Sequence, residues 1–167
     1  MSPWTRRSGT RGIARASWSG RRAPTKLVEA ELAGLRPGRA LDLAAGEGRN
    51  AIWLARQGWR VTAVDFSQAG LDKGHTIAAD LDIEWVCADA TTWRPEEPAY
   101  DVCLVAYLQL PAEERRAAAR NAFAALRVGG TLLWVAHDLT NLTEGVGGPP
   151  DAAVLMTAQE SARGPRR

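Results

Sequence analysis

The tightest constraint on this chain is the stretch Leu-Asp-Leu-Ala-Ala-Gly-Glu-Gly-Arg-Asn at residues 41–50. An apolar run passes straight into a loop of small residues, and the helically spaced Ala51-Ile52-Trp53-Leu54-Ala55 follows. The pattern predicts a strand, a glycine loop and a helix. Gly46 and Gly48 allow a tight turn and let a ligand approach the main chain. The helix behind them would aim free N–H groups and the positive end of its dipole at that place, which suits an anionic group. Gly46-x-Gly48-x-x-Ala51 fits a loose nucleotide-binding fingerprint, whose weight depends on what surrounds it.

Periodicity sets the surroundings. Pro24 to Leu35 reads as a first helix and Ala40 to Ala44 as the first strand. A helix over about 49–57 ends at Gly58, which suits the left-handed position past a helix end. The second strand is Trp59 to Asp65, and Ser67 caps a helix to about Asp80, weakened by Gly70 and Gly74. The third strand is Ile83 to Cys87, and Thr91 to Ala99 is a loop. Tyr100 to Ala106 is almost continuously apolar, as a strand buried on both faces should be. Pro111 opens a helix to Arg127, Gly129-Gly130 ends it, and Thr131 to Ala136 is the fifth strand. Strands alternating with helices predict an α/β domain with a doubly wound, mostly parallel sheet of about five strands.

Ligands on such sheets bind at the carboxyl ends of the strands. Asp42 falls near the end of the first strand, and Asp65, Asp89 and Tyr107 at or just past the ends of the second, third and fourth. Asp65 lies about 20 residues past the glycine loop, where a carboxylate can accept both hydroxyls of a ribose. The plainer readings are a helix-cap partner or a solvated loop acid, and the glycine loop upstream favours the ribose role. Asp42 is costly in a buried strand unless a cation or hydrogen-bond donors meet it. It would repel the pyrophosphate of a nicotinamide dinucleotide and welcome an ammonium. That points to S-adenosylmethionine, which carries an ammonium, a carboxylate, a ribose and an adenine but no phosphate. Backbone N–H groups alone could also satisfy Asp42. Asp89 could receive the exocyclic amine of adenine or be an ordinary strand-end acid.

Taken together, residues 41–50, Val-Thr-Ala-Val-Asp-Phe-Ser at 61–67, Cys-Ala-Asp-Ala at 87–90, Tyr100-Asp101 and Gly129-Gly130 resemble the class I S-adenosylmethionine-dependent methyltransferases. Gly48-Arg49-Asn50 and the Asp65-Phe66-Ser67 turn resemble their tellurite-resistance-type, small-molecule branch. The resemblance covers roughly residues 24–145 and implies a Rossmann-like methyltransferase fold with S-adenosylmethionine as cofactor. By it, Asp42 and the backbone of Ala44, Ala45, Gly46 and Gly48 would hold the methionine end, and Asn50 would also belong to the cofactor site. Asp65 would take the ribose, with Phe66 beside the adenine and Asp89 and Ala90 at the adenine edge. Ala106 and the residues to Gln109 would line the path to a small-molecule acceptor. Tyr107, His137 and Asp138 are the candidates for a base, should the acceptor need one, though His137 also reads as a plain strand-end histidine. The family often has Gly where Ala44 stands and Pro where Val128 stands. Members usually continue with a helix and two strands after the fifth. Here a Gly/Pro-rich stretch and a Thr157-x-x-Glu160 capping box come instead, so the resemblance implies missing C-terminal strands. Leu132, Leu133 and Trp134 would then form an exposed apolar edge, open to a homodimer.

Domain organisation follows: a basic tail over 1–23, the methyltransferase-like domain over 24–145, and a linker with a short C-terminal segment over 146–167. The chain of 167 residues suits one core, and a net charge of +2 favours neither nucleic acid nor a membrane surface. Arg6, Arg7, Arg11, Arg15, Arg21 and Arg22 precede the first acid, Glu29, which reads as a solvated tail or as a transit peptide. No apolar run is long enough to span a bilayer. Cys87 and Cys103 lie in apolar runs and read as reduced core thiols of a cytoplasmic protein, and His75 and His137 lack ligand spacing for a metal. Two other readings share these features. One is a truncated, non-catalytic S-adenosylmethionine-binding or interaction protein. The other is an NAD-dependent oxidoreductase, which leaves Asp42 and Asp89 without a role.

Overall fold

A computed structural model describes residues 23–157 and residue 159. The expectations for the Arg-rich tail, Trp4 and Trp18 at one end and for the capping box with Glu160 at the other lie outside the described residues. The elements are α1 (Lys26–Leu32), β1 (Arg39–Leu43), α2 (Arg49–Arg56), β2 (Arg60–Asp65), α3 (Gln68–Ala78), β3 (Ile83–Cys87), β4 (Tyr100–Ala106), α4 (Ala112–Ala125), β5 (Leu126–Val135) and the short α5 (Asn141–Glu144). A 3-10 turn over Ala152–Val154 follows. The five strands form one sheet in the order β3-β2-β1-β4-β5, and every pairing is parallel. Strand order reverses at β1, between β2 and β4, so the predicted crevice lies over β1 and β4.

Side-chain alternation decides what each face meets. Ala40 on β1, Val61 and Ala63 on β2, and Val102 and Leu104 on β4 turn to one face. There they pack with Val28 and Leu32 of α1 and Ala51 and Leu54 of α2. Asp42 shares the parity of Ala40 and so lies on the α2 side. Leu41, Leu43, Cys103 and Val105 turn to the other face and meet Ala118, Ala122 and Ala125 of α4. Those alanines let the helix sit close to the sheet. β4 is buried along almost its whole length, as its composition predicts.

Four sequence expectations need correction. The fourth helix stops at Ala125, and β5 starts at Leu126, earlier than Thr131. Tyr100 pairs with Leu126 and Val102 with Thr131, so an irregularity absorbs residues 127–130 and lengthens the strand. Cys87 is exposed, because β3 is an edge strand with one face toward solvent, while Cys103 is buried at the sheet centre. Leu132, Leu133 and Trp134 are half-buried rather than exposed, since Leu132 and Trp134 pack against the α4-side core and Leu133 against the α2-side core. The residues after Gly145 also fold back. Pro149, Val154 and Leu155 are buried, Met156 bridges Asp138 in parallel, and the Arg115 guanidinium donates to the Ala153 carbonyl at 2.9 Å. No helix among the described residues is long and apolar enough to cross a membrane.

Candidate functional site

The loop after β1 is held by its neighbours rather than by its own side chains. The N–H groups of Ala44 and Ala45 both donate to the Val64 carbonyl, at 2.8 and 3.0 Å. Gly46 N–H donates to Asp65 Oδ2 at 2.8 Å, and Ser67 N–H to Asp65 Oδ1 at 2.8 Å. One carboxylate thus ties the glycine loop to the turn after β2. Burial pushes the Asp65 carboxyl up, and the Ser67 and Gly46 amides pull it back. A carboxylate offers about four lone-pair sites, so two remain for a ligand.

Gly48 has φ +74°, and a side chain there would run into the Trp85 ring. The same ring lies against Gly74 of α3, where an added Cβ would sit 2.6 Å from the Glu47 carbonyl. Gly74, which weakens α3 on propensity alone, is there because loop, indole and helix meet at van der Waals distance. Lys73 Nζ adds an ion pair to Glu47 Oε1 at 3.1 Å.

Asp42 is 1% exposed. The Ala51 N–H, in the first turn of α2, supports its charge, yet Oδ2 is buried with no hydrogen-bond partner among the described residues. Burial pushes the Asp42 carboxyl up to about 7, the Ala51 amide opposes that, and Asp65 and Arg49 act in opposite directions after it. One side of the carboxylate is thus met by backbone, and the other has no donor among the described residues.

Asn50, at the start of α2, is buried. Its Oδ1 accepts from Thr25 N–H at 3.0 Å and fastens the start of α1 to α2. Asp89 Oδ1 accepts from the N–H and hydroxyl of Thr91, at 2.9 and 2.8 Å, closing a turn after β3. Ala90 is buried in the core, and its carbonyl accepts from Asn121 of α4 at 2.9 Å. Phe66 is half-buried beside Asp65, and Ala106 packs on the α2-side core.

At the ends of β4 and β5 the polar groups cluster on one ring. Tyr107 has φ +58°, a costly conformation for a tyrosine, and its N–H donates to the Val135 carbonyl at 2.7 Å. The His137 imidazole lies 4.8 Å from the Tyr107 ring centre, and the Arg49 guanidinium 6.0 Å from it. Asp138 is spent on a turn: Oδ1 accepts from the Thr140 N–H and hydroxyl, which hold its carboxyl below the usual range.

Arg49, to which the sequence reading gave no role, begins α2 and carries one signal: a cation opposes the dipole at a helix N-terminus, and here the Asp42 carboxylate supplies an opposite charge. The Asn121 tether carried no such signal, since nothing local marks a residue that acts across 31 positions.

Residues 40–130 match the model of a methyltransferase domain. A demethylmenaquinone methyltransferase of Clavibacter sepedonicus is 33% identical over 96 residues, 57% of this chain and 39% of that protein. A ribosomal RNA large subunit methyltransferase M of Aromatoleum aromaticum is 45% identical over 76 residues, 44% of this chain and 20% of that protein. The chain thus spans well under half the length of these curated relatives. Among solved structures, the glycopeptide N-methyltransferase MtfA, crystallised with S-adenosylmethionine, superposes with a TM-score of 0.60 at 21% identity, over 67% of this chain and 49% of its own. The matched domain runs from β1, through the glycine loop and Asp65, to the β5 irregularity, more than half of the sequence, and the chain belongs to the methyltransferase domain family.

Proposed function

We propose that this chain binds S-adenosylmethionine at the carboxyl ends of β1 and β2 and transfers its methyl group to a small molecule presented over β4 and β5. The observation that carries the reading is the unpartnered Oδ2 of Asp42, buried beneath the glycine loop. A buried carboxylate oxygen without a donor is expensive, and an ammonium group answers that need. A pyrophosphate would worsen it, which argues against a dinucleotide. The residues present therefore fit the cofactor: Asp42 would hold its ammonium, the backbone of 44–48 its methionine end, Asp65 its ribose, and Phe66 and the Asp89 turn its adenine. When bound, the cofactor supplies a methyl already activated on a sulfonium.

The protein's task is then position, proton removal and exclusion of water. Tyr107 and His137 sit together where an acceptor would enter. His137 is the better base by position, its imidazole 4.8 Å from the Tyr107 ring, whereas Asp138 is held in its turn by the Thr140 N–H and hydroxyl, which keep its carboxyl below the usual range. The Gly48-Arg49-Asn50 and Asp65-Phe66-Ser67 sequences support placement in the tellurite-resistance-type branch. The names of the quinone and glycopeptide enzymes above support a small acceptor, and that of the ribosomal RNA enzyme supports a different one.

Calorimetric titration with S-adenosylmethionine and S-adenosylhomocysteine, with a reduced nicotinamide dinucleotide as control, tests the cofactor. Binding of the sulfonium pair alone is expected. Binding of the dinucleotide alone would move the chain to the oxidoreductases, and no binding by folded protein would leave an interaction role. Transfer of labelled methyl to a panel of quinols, phenols and amines, set against ribosomal RNA, then tests the acceptor. Label on RNA alone would overturn the small-molecule reading.

A further inference from the structure

Resting on the proposed acceptor side for its catalytic meaning, we infer that Arg115 is a positioning residue there: its buried guanidinium ties the loop that begins with Tyr107 to the C-terminal segment that holds His137, and so fixes how the two rings face each other. Arg115 lies three residues before Ala118, on the face of α4 that Ala118, Ala122 and Ala125 turn to the sheet. It stands near the start of the helix, past the end of β4, so the side chain meets loops instead of strand. Arg115 is 5% exposed, and a guanidinium so buried is costly unless acceptors meet its N–H groups. Nη1 donates to two carbonyls from different parts of the chain, Leu110 at 2.7 Å and Ala153 at 2.9 Å.

Each carbonyl leads to one of the rings. Leu110 belongs to residues 107–111, between β4 and α4, and Tyr107 opens that loop with φ +58°. Ala153 belongs to residues 145–156, which hold His137 in two ways. Met156 N–H donates to the His137 carbonyl at 3.1 Å, and Leu139 N–H to the Met156 carbonyl at 2.8 Å. Gly148, at φ +87°, passes against the imidazole: a Cβ there would sit 3.3 Å from His137 Cε1 and Nδ1 and 2.7 Å from Asn141 Nδ2. Asn141 Nδ2 donates to the Gly147 carbonyl at 2.7 Å and closes that turn. The imidazole thus has the Tyr107 ring and a bare backbone as neighbours. A planar fork of N–H groups holds two carbonyls at a set separation, which a flexible ammonium does not. Arg115 acts through the two segments that carry the rings.

The test reads the rings directly. The chain has two histidines, His75 and His137, so the imidazole C–H signals in an NMR spectrum of the full chain form two sets, assigned with His75→Gln. Arg115→Met is expected to move the His137 set toward the positions of free histidine, as the imidazole leaves the Tyr107 ring, and to leave the His75 set in place. Arg115→Lys should recover part of the shift. Turnover on the acceptor labelled in the panel above should fall roughly tenfold to hundredfold, while affinity for S-adenosylhomocysteine stays unchanged. Gly148→Ala presses on the imidazole without touching the guanidinium. It should move the same set, and it decides the question if Arg115→Met does not fold. An unmoved His137 set in either folded variant would overturn the inference. So would equal movement of both sets, which would mean a general loss of packing. Moved signals with unchanged turnover would overturn the positioning role and leave a purely structural clamp. A wild type that binds no S-adenosylhomocysteine would overturn the cofactor reading, and the His137 signals would still decide whether the clamp exists.

Discussion

The two halves of the sheet's carboxyl edge are built on different principles. Over β1 and β2, backbone amides hold the carboxylates: Asp65 takes the N–H of Gly46 and Ser67, and Asp42 is supported by that of Ala51. Over β4 and β5, side chain meets side chain: Arg49, Tyr107 and His137 arrive from three elements and touch through rings and charge. Backbone holds a geometry tightly, and side chains can move. On the proposed function, the difference would suit the first half to one invariant ligand and the second to a variable acceptor. Substitutions should therefore separate binding from turnover.

The largest effect is expected from Asp42→Asn. Removing one partner of a buried charge pair costs about 3 kcal/mol, so cofactor affinity should fall by roughly a hundredfold. Stability should move the other way. The folded carboxyl titrates at about 7, above its usual 3.8, so the folded state holds its proton longer than the unfolded chain. The favourable contribution is complete at low pH and is lost as pH rises through about 7. Wild type should thus melt at lower temperature at pH 8 than at pH 6, and Asp42→Asn should flatten that slope. Cofactor affinity of the wild type should rise over the same interval, as the ionised carboxylate forms. A variant that binds as tightly as wild type would erase the distinction between the halves.

His137→Gln probes the other half. Turnover should drop by about a hundredfold, the low end for loss of a general base, while cofactor affinity measured by calorimetry stays the same. A matching loss of affinity would mean that the two halves are one unit.

Asp65→Ala comes next. Two N–H groups lose their acceptor, and a cost of roughly 2–3 kcal/mol follows, which lowers the melting temperature by about 6–10 °C in a domain of this size. Affinity should fall too, since the loop and the ribose contact go together. A protein that melts normally would show that Asp65 serves the ligand and not the fold.

The contrast also explains what the sequence makes legible. β3 and β4 have the predicted limits, because strand composition and the flanking turns are local signals. The Ser67 cap is equally local, its Oγ accepting from Gly70 N–H at 3.3 Å. The aspartates at strand ends are readable once the strands are, since parallel topology brings those ends together. Three things were not readable. Leu126 joins β5 by pairing with Tyr100 of β4 across an irregularity at 127–130, which no local propensity reports. Asn50 reads as a helix-start and cofactor-site residue, and its tie to Thr25 in a separate helix start has no local signal. Cys87 reads as core from its neighbours, and only its place on an edge strand exposes it. Each miss is a long-range contact overruling a local pattern.

The smallest effect concerns two residues in the same unusual conformation. Ala44 has φ +68° and Tyr107 φ +58°, one on each half of the edge. A left-handed conformation costs a non-glycine residue about 1 kcal/mol or more, and glycine escapes that cost at the expense of a more flexible unfolded chain. At Ala44 only one methyl group, packed at the margin of the α4-side core, offsets the strain, and the backbone stays fixed by the amides of Ala44 and Ala45 on the Val64 carbonyl. Ala44→Gly should therefore stabilise the protein by up to about 1 kcal/mol, raising the melting temperature by about 1–3 °C with cofactor affinity unchanged. The same exchange at Tyr107 relieves the same strain but removes the ring on which His137 and Arg49 rest. Tyr107→Gly should gain nothing in melting temperature and should lose turnover. If both glycine variants behaved alike, strain at Tyr107 would be incidental. If they diverge as expected, the strain at β4 is maintained by the contacts that present the acceptor.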